Sequence, residues 1–147
     1  MYMFLECDPM KKPTHQRGTR ILKNGMTFKT KELKAWEAEL SASLASYSRP
    51  EHPDRPMYLK WVFRYGTKDK KKWGKWKHSK PDTDNLVKTP KDCMQRLGFF
   101  TDDSHVVYES IQKVWSEIPG IEITLSEVPP EVADLIYLEA NDPDWAV

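Results

Sequence analysis

The spacing of apolar residues predicts a long amphipathic helix in the first third of the chain. After Thr30, apolar side chains recur three or four positions apart, at Leu33, Trp36, Leu40 and Leu44. This spacing places them on one face of a helix, which we expect to run from about residue 30 to residue 47. Thr30 is a favourable residue for the position just before that helix begins.

A second helical segment extends from about Asn85 to Leu97 and is expected to stop at Gly98, since glycine commonly terminates helices. Pro90 lies inside this segment. Because proline lacks an N–H group and clashes with the preceding turn, Pro90 predicts that a fresh helix begins here. Such a restart would turn Lys88 away from the face formed by the residues before it.

Stretches rich in aromatic, β-branched or alternating apolar residues predict the strands. They are a first strand at 1–7, a hairpin turning at 24–25, a central strand at 57–65, and two strands at 105–115 and 120–128 that are expected to pair through a turn at 118–120. Pro129-Pro130 is expected to start a short closing helix carrying Val132, Leu135 and Ile136, with a loose tail at 141–147. This order predicts an α+β fold, a two-layer mixed sheet covered by helices, in one domain spanning 1–147.

Composition and length narrow the class of protein. The chain has 147 residues, of which 39% are hydrophobic, enough for one domain with a modest core. No apolar run approaches the ~20 residues that cross a bilayer, and Met1–Asp8 lacks the features of a secretory signal. Cys7 and Cys93 build neither a disulfide framework nor a zinc cage. We therefore expect a cytosolic protein.

Positive charge is concentrated before residue 82. Residues 1–81 carry 19 Lys and Arg against 8 Asp and Glu, whereas residues 82–147 carry 4 against 14. Such asymmetry favours a polyanionic partner, most commonly nucleic acid. The expected DNA contacts lie in two basic segments: Lys12, Arg17, Arg20, Lys71, Lys72, Trp73, Lys75, Trp76, Lys77 and Lys80. Alternatively, these segments are solvated loops whose tryptophans pack locally; the second, residues 66–80, is expected to be mobile.

Two groups of acidic residues are the candidates for chemistry. Asp82 and Asp84 project to the same side of an extended chain, and Lys88 shares the face of Asp84 if a helix starts there. Asp102 and Asp103 follow the second helix, where the fold can return them beside the first pair. Carboxylates gathered near a basic surface are suited to holding Mg²⁺ against a phosphodiester. Alternatively, Asp84 simply caps the helix.

Two separated motifs resemble one known family. The stretch K-P-D-T-D-N-L-V-K at 80–88, followed by Asp92, and the stretch G-F-F-T-D-D-S-H-V-V at 98–107 are similar to the signature of the RusA-type Holliday junction resolvases. The strong match covers 79–107, and a weaker resemblance in element order extends from 12 to 128. The family's motifs are specific, because both residue types and spacing agree.

This resemblance implies a homodimeric, Mg²⁺-dependent endodeoxyribonuclease that resolves four-way DNA junctions by paired nicks. The residues that match the family's essential groups are Asp82, Asp84, Asp103 and Lys88. Asp82, Asp84 and Asp103 would bind the metal, with Asp102 as a further candidate ligand. Asn85 and Asp92 are supporting candidates, Asp92 through an ion pair with Lys88 four residues earlier. A small resolvase of this kind suits a phage or prophage gene.

Two other functions remain open from the residues alone. The chain is a DNA-binding protein without catalytic activity if its acids only cap helices and repel DNA from one face. It is a different metal-dependent nuclease if its substrates are flaps, single strands or RNA.

Overall fold

The computed structural model describes residues 1–129 and 131. The elements, in chain order, are β1 (Tyr2–Leu5), α1 (His15–Gly18), β2 (Thr19–Ile21), β3 (Thr27–Lys29), α2 (Lys31–Ala45), β4 (Met57–Gly66), α3 (Thr83–Arg96), β5 (Val106–Ser116) and β6 (Gly120–Glu127). Four strands form a mixed sheet in the order β1-β6-β4-β5, and β2 pairs with β3 in a small second sheet. The predicted α+β class is confirmed.

The long helix and the hairpin form where the sequence predicts them. Thr30 caps α2, its hydroxyl accepting a hydrogen bond of 3.3 Å from the Leu33 N–H. The four apolar side chains of α2 are buried against the sheet. The β2–β3 hairpin turns at Gly25, whose φ of +82° lies in the left-handed region that favours glycine. Local signals therefore predicted both elements correctly.

The strand neighbours differ from the sequence-based prediction. β5 and β6 both exist, but they do not pair with each other, because β4 lies between them. β4 pairs in parallel with β5 and antiparallel with β6. A crossover through α3 brings β5 alongside β4, as parallel pairing requires. The chain then passes over the end of β4, where Gly66 faces the ring of Pro119, and enters β6 on the other side.

The core lies between the sheet and its helices. From the sheet, Leu59, Trp61 and Ile123 are fully buried, and so is Leu40 of α2. Burying one such large apolar side chain contributes about 1.5–3 kcal/mol. Within the described residues, no helix is long and apolar enough to cross a membrane. The predicted closing helix after Pro129, with Val132, Leu135 and Ile136, and the predicted tail at 141–147 lie outside the described residues.

Candidate active site

The first pair of acids lies at the start of α3. Asp82 occupies the N-cap position with an extended backbone, and its side chain makes no capping hydrogen bond. Asp84 lies in the first turn, so the prediction that Asp84 is the N-cap is wrong. Both side chains are exposed. The carboxylate of Asp82 is thus free of the structural task that most often explains an acid at this position.

α3 is continuous from Thr83 to Arg96 even though Pro90 lies inside it. The predicted fresh start at Pro90 is therefore wrong. Proline removes one intrahelical hydrogen bond, but Pro90 is buried among apolar residues of the same helix that pack into the core, and this tertiary packing outweighs the local loss. Because the helix is unbroken, Asp84, Lys88 and Asp92 follow one another at four-residue intervals along one face.

The second pair of acids is positioned by the turn that follows α3. The Asp102 carboxylate accepts a hydrogen bond of 2.8 Å from the Ser104 N–H, and the hydrogen bonds from Ser104 lower the pKa of this carboxyl. Asp102 is therefore occupied in shaping the turn. The backbone N–H of Asp103 donates to Oε1 of Gln95 on α3, at 3.0 Å. Gln95 thus ties Asp103 to the helix that carries Asp84, and nothing in the sequence motif had singled it out.

A groove of about 310 Å³ brings most of the expected catalytic residues together. Its lining comes from α3, from the turn before β5 and from β5 itself: Thr83, Asp84, Val87, Lys88, Lys91, Asp92, Asp103, Glu109 and Ile111. Asp82 and Asn85 instead line a neighbouring cavity of about 100 Å³ together with Arg17 and Lys80. The structure thus places Asp84 and Asp103 on one groove and Asp82 beside it.

Two charged residues of the groove were not foreseen. Lys91 Nζ lies 2.9 Å from Oε2 of Glu109, yet the angle is not that of a hydrogen bond, and this buried oxygen has no other donor among the described residues. No ion pair involving Lys88 occurs in the described part of the chain, so the pairing expected with Asp92 is absent. Sequence offered no signal for Glu109, because its approach to Lys91 depends on how β5 packs against α3.

The donor groups of the groove fit a hard divalent cation. They are carboxylates, and Mg²⁺ prefers oxygen ligands, keeps several waters and is often held by one or two carboxylates plus substrate phosphate. In residues 1–129 and 131, no three Asp, Glu, His or Cys side chains are gathered closely enough to form a complete ligand cage. The chemistry therefore fits an ion held by Asp84 and Asp103 and completed by water and substrate.

The second basic segment follows the edge of β5. Backbone hydrogen bonds of 2.9 Å join Gly74 N–H to Trp115 O, Trp115 N–H to Lys75 O, and Lys77 N–H to Lys113 O. Such pairing attaches the segment to the sheet, in contrast to the free loop that was expected. The edge of β5 is thereby covered at residues 113–115, and the segment continues from there to Asp82.

The basic residues expected to contact DNA differ in exposure. Lys12 is half-buried, forms an ion pair of 2.5 Å with Glu39 and lies over the ring of Trp36. Lys77 is only 3% exposed, which leaves its ammonium without a path to a DNA phosphate in this arrangement. The expected contacts that are exposed are Arg17, Arg20, Lys71, Lys72, Lys75, Trp76 and Lys80.

The two tryptophans of the second basic segment also differ. Trp73 is half-buried, and its indole N–H donates to the carbonyl oxygen of Thr67 at 2.9 Å. Trp76 is 64% exposed. Trp76 can therefore offer a ring face to a base, whereas Trp73 packs locally.

Comparison with known proteins decides the family. The family model for Endodeoxyribonuclease RusA matches residues 8–126. The chain belongs to the RusA endodeoxyribonuclease family. It is 34% identical over 125 residues to a protein of Lactococcus phage r1t named crossover junction endodeoxyribonuclease rusA, an alignment that covers 84% of this chain and 95% of the phage protein. A second relative, the uncharacterized protein YqaN of Bacillus subtilis strain 168, is 44% identical over 50 residues, about a third of each chain.

Membership of the RusA family confirms the resemblance based on the two motifs and makes this chain an endonuclease, a hydrolase of DNA phosphodiester bonds. The matched residues include both acidic pairs, the whole of α3 and both basic segments. The groove described above therefore lies inside the part of the chain that the family shares.

Proposed function

We propose that this RusA family nuclease resolves four-way DNA junctions with a divalent metal ion, Mg²⁺, bound at the groove between α3 and the turn before β5. The observation that carries the proposal is the shared lining of this groove by Asp84, Lys88 and Asp103. The phage relative, which aligns along nearly its whole length and is named for crossover junction cleavage, supports the choice of substrate.

The charges in the groove support a divalent cation. Four carboxylates (Asp84, Asp92, Asp103 and Glu109) face two ammonium groups (Lys88 and Lys91), a formal excess of two negative charges. A DNA phosphodiester brings one more. Without a cation, this excess of negative charge repels the substrate. A divalent ion would offset the negative charge that the two lysines do not neutralise.

The roles follow from where the side chains lie. Asp84 and Asp103 would hold the ion, with Asp82 reaching it from the neighbouring cavity. When bound, such an ion lowers the pKa of a coordinated water and offsets charge at the leaving oxygen. Lys88 stabilises the negative charge that develops on the phosphoryl oxygens, as a preorganised cation does. Asp92, which lines the same groove, and Asn85, which lines the cavity beside Asp82, are supporting residues.

Substrate binding is assigned to the exposed cations near the groove. Arg17 and Lys80 line the cavity that also contains Asp82, and Lys71, Lys72 and Lys75 are exposed on the second basic segment. Neutralising several phosphates in this way supplies most of the affinity of a protein for DNA, and the affinity weakens with salt. Trp76 would stack on a base exposed where the strands of the junction part.

Paired nicks require two active sites on one branched substrate. A two-fold homodimer supplies them, since its symmetry presents the same groove to two strands related by the junction's own symmetry. Sedimentation equilibrium of the protein with and without a four-way junction measures the number of subunits, and a monomer that still cuts both strands in a coupled manner would contradict this assignment.

The decisive experiment removes one carboxylate without changing its shape. In Asp84→Asn, cutting of a synthetic four-way junction in Mg²⁺ should fall at least about 100-fold, since removing one group of a preorganised electrostatic site costs on the order of 10²–10³ in rate. Junction binding should persist. Asp54→Asn, an exposed acid outside the groove, is the matched control and should cut like the wild type. EDTA should stop cutting by the wild-type protein.

Two outcomes would contradict the proposal. Undiminished cutting by Asp84→Asn would exclude this groove as the active site. Junctions cut no faster than duplex, flap or single-stranded DNA would exclude junction resolution and favour a nuclease for another nucleic acid.

A further inference from the structure

Lys77 is the most deeply buried charged side chain among the described residues. Its side chain is 3% exposed, and its ammonium lies 4.8 Å from the ring centre of Tyr65 and 5.4 Å from that of Trp115. Burial, assisted by the charge of Lys113, lowers the pKa of Lys77. Taking an ammonium out of water is costly unless it is paired or hydrogen-bonded. The hydrogen-bond partners of Lys77 therefore indicate its role.

Those partners lie immediately before the first catalytic motif. Lys77 Nζ donates to Oγ of Ser79 at 2.8 Å, to the carbonyl oxygen of Ser79 at 3.3 Å, and to the carbonyl oxygen of Lys80. The faces of Tyr65 and Trp115 complete its surroundings through cation–π contacts. The ammonium thus binds the backbone of the segment that leads into Asp82.

Lys113 contributes a second ammonium from β5. Its Nζ donates to the carbonyl oxygen of Ser79 at 2.7 Å and to that of Pro81 at 2.6 Å. The backbone also links the two lysines, because the N–H of Lys77 donates to the carbonyl oxygen of Lys113 at 2.9 Å. Three successive carbonyls, those of residues 79, 80 and 81, are therefore bound by two ammonium groups.

We propose that Lys77 and Lys113 are positioning residues that fix the backbone of residues 79–81 and thereby set where Asp82 and Asp84 enter the active site. Without these ammonium groups, the three carbonyls would lose charge-assisted hydrogen bonds, which are stronger than neutral ones. The chain between β4 and α3 would then gain freedom at the point where the catalytic carboxylates begin. The inference rests on the proposed function of these carboxylates.

This role differs from DNA contact in what it predicts for kinetics. A phosphate-binding lysine changes the affinity for DNA and its dependence on salt. A lysine that positions catalytic groups changes the rate of the bound complex, because displacing such groups by about 1 Å can cost about 100-fold. Lys77 and Lys113 should therefore act on kcat and leave junction affinity nearly unchanged.

The test uses Lys113 first, because it is less buried and its replacement is less disruptive to folding. Lys113→Met should lower single-turnover cutting of a four-way junction about tenfold or more, with junction Kd within about threefold of wild type. Lys113→Arg, which keeps a cation able to donate to two carbonyls, should recover most of the rate. Lys34→Met, an exposed lysine on α2, is the matched control and should leave both quantities unchanged.

Lys77→Met provides the second measurement, alongside urea unfolding and circular dichroism. If it folds, it should show the same loss of rate at unchanged affinity. If it does not fold, Lys113→Met decides. Wild-type cutting rates in Lys113→Met, or a loss of affinity that accounts for all of its loss of cutting, would overturn the inference. Since Asp84→Asn is measured in parallel, the outcomes are distinguishable: retained cutting there overturns the proposed active site itself.

Discussion

Replacing Gly98 with alanine tests whether the turn that delivers Asp103 to the groove depends on backbone conformation alone. Gly98 follows α3 with φ of +84°. Its N–H donates to the carbonyl oxygen of Gln95, and the next N–H, from Phe99, donates to that of Met94, both at 3.0 Å. These two bonds form the turn that commonly ends helices. A Cβ at Gly98 would meet nothing within 4 Å, so no steric contact would confuse the result.

The expected magnitude follows from two opposing terms. Holding alanine in the left-handed region costs about 1–2 kcal/mol. Alanine also restricts the unfolded chain, which returns about 0.4–1 kcal/mol. Gly98→Ala should therefore lower the free energy of unfolding by about 1 kcal/mol, and the melting temperature by about 3 °C for a domain of this size. Gly98→Asn should cost less, because asparagine tolerates this conformation.

Urea unfolding followed by tryptophan fluorescence measures these differences, provided that the dependence on urea is the same in all three proteins. Equal stability of the alanine and wild-type proteins would refute the reasoning. So would an asparagine variant that is as unstable as the alanine variant, since conformation would then not be the cause.

Two further predictions concern single side chains. Trp76→Ala should weaken junction binding by roughly 5- to 150-fold, the range for losing one base–aromatic stack. Tyr2 is also exposed, and Tyr2→Ala should leave binding unchanged; equal effects of the two variants in a fluorescence anisotropy titration would contradict this prediction. Burial raises the pKa of Cys7 to about 11 from the usual 9.0, so the folded state binds this proton more tightly. The stability of the wild-type protein relative to Cys7→Ser should therefore fall as pH rises from about 9 to 11, and a rise in urea titrations would be inconsistent with that burial.

Local signals in the sequence predicted the elements and the motifs of this chain. Thr30, the apolar spacing of α2 and the turn at Gly25 each act over a few residues, and the structure has them as predicted. The pairs at Asp82 and Asp102 were visible as clusters of acids in the sequence, and the family motif, which states residue type and spacing together, gave their expected roles. Features that depend on a few neighbouring residues could therefore be predicted from the sequence.

Tertiary packing decided what the sequence could not. Pro90 has a strong local preference to end a helix, but the burial of its neighbours keeps α3 continuous. The hairpin signal at Pro119-Gly120 suggested that β5 and β6 pair, whereas the crossover through α3 places β4 between them. The sequence did not indicate Gln95 or Glu109 for a related reason, since each has its role only through contact with a residue on another element.

Because the groove carries excess negative charge, Asp84→Asn should strengthen junction binding in EDTA even though it weakens cutting in Mg²⁺. In EDTA, no divalent ion offsets the carboxylates, and each one repels the phosphodiester. At a separation of roughly 6 Å in water, one such repulsion is worth about 0.7 kcal/mol. Asp84→Asn should therefore bind a junction about threefold more tightly than wild type in EDTA, and the gain should shrink as salt screens the repulsion. Unaltered affinity at low salt would mean that DNA does not approach Asp84, and the assignment of the groove would then fail even if cutting were lost.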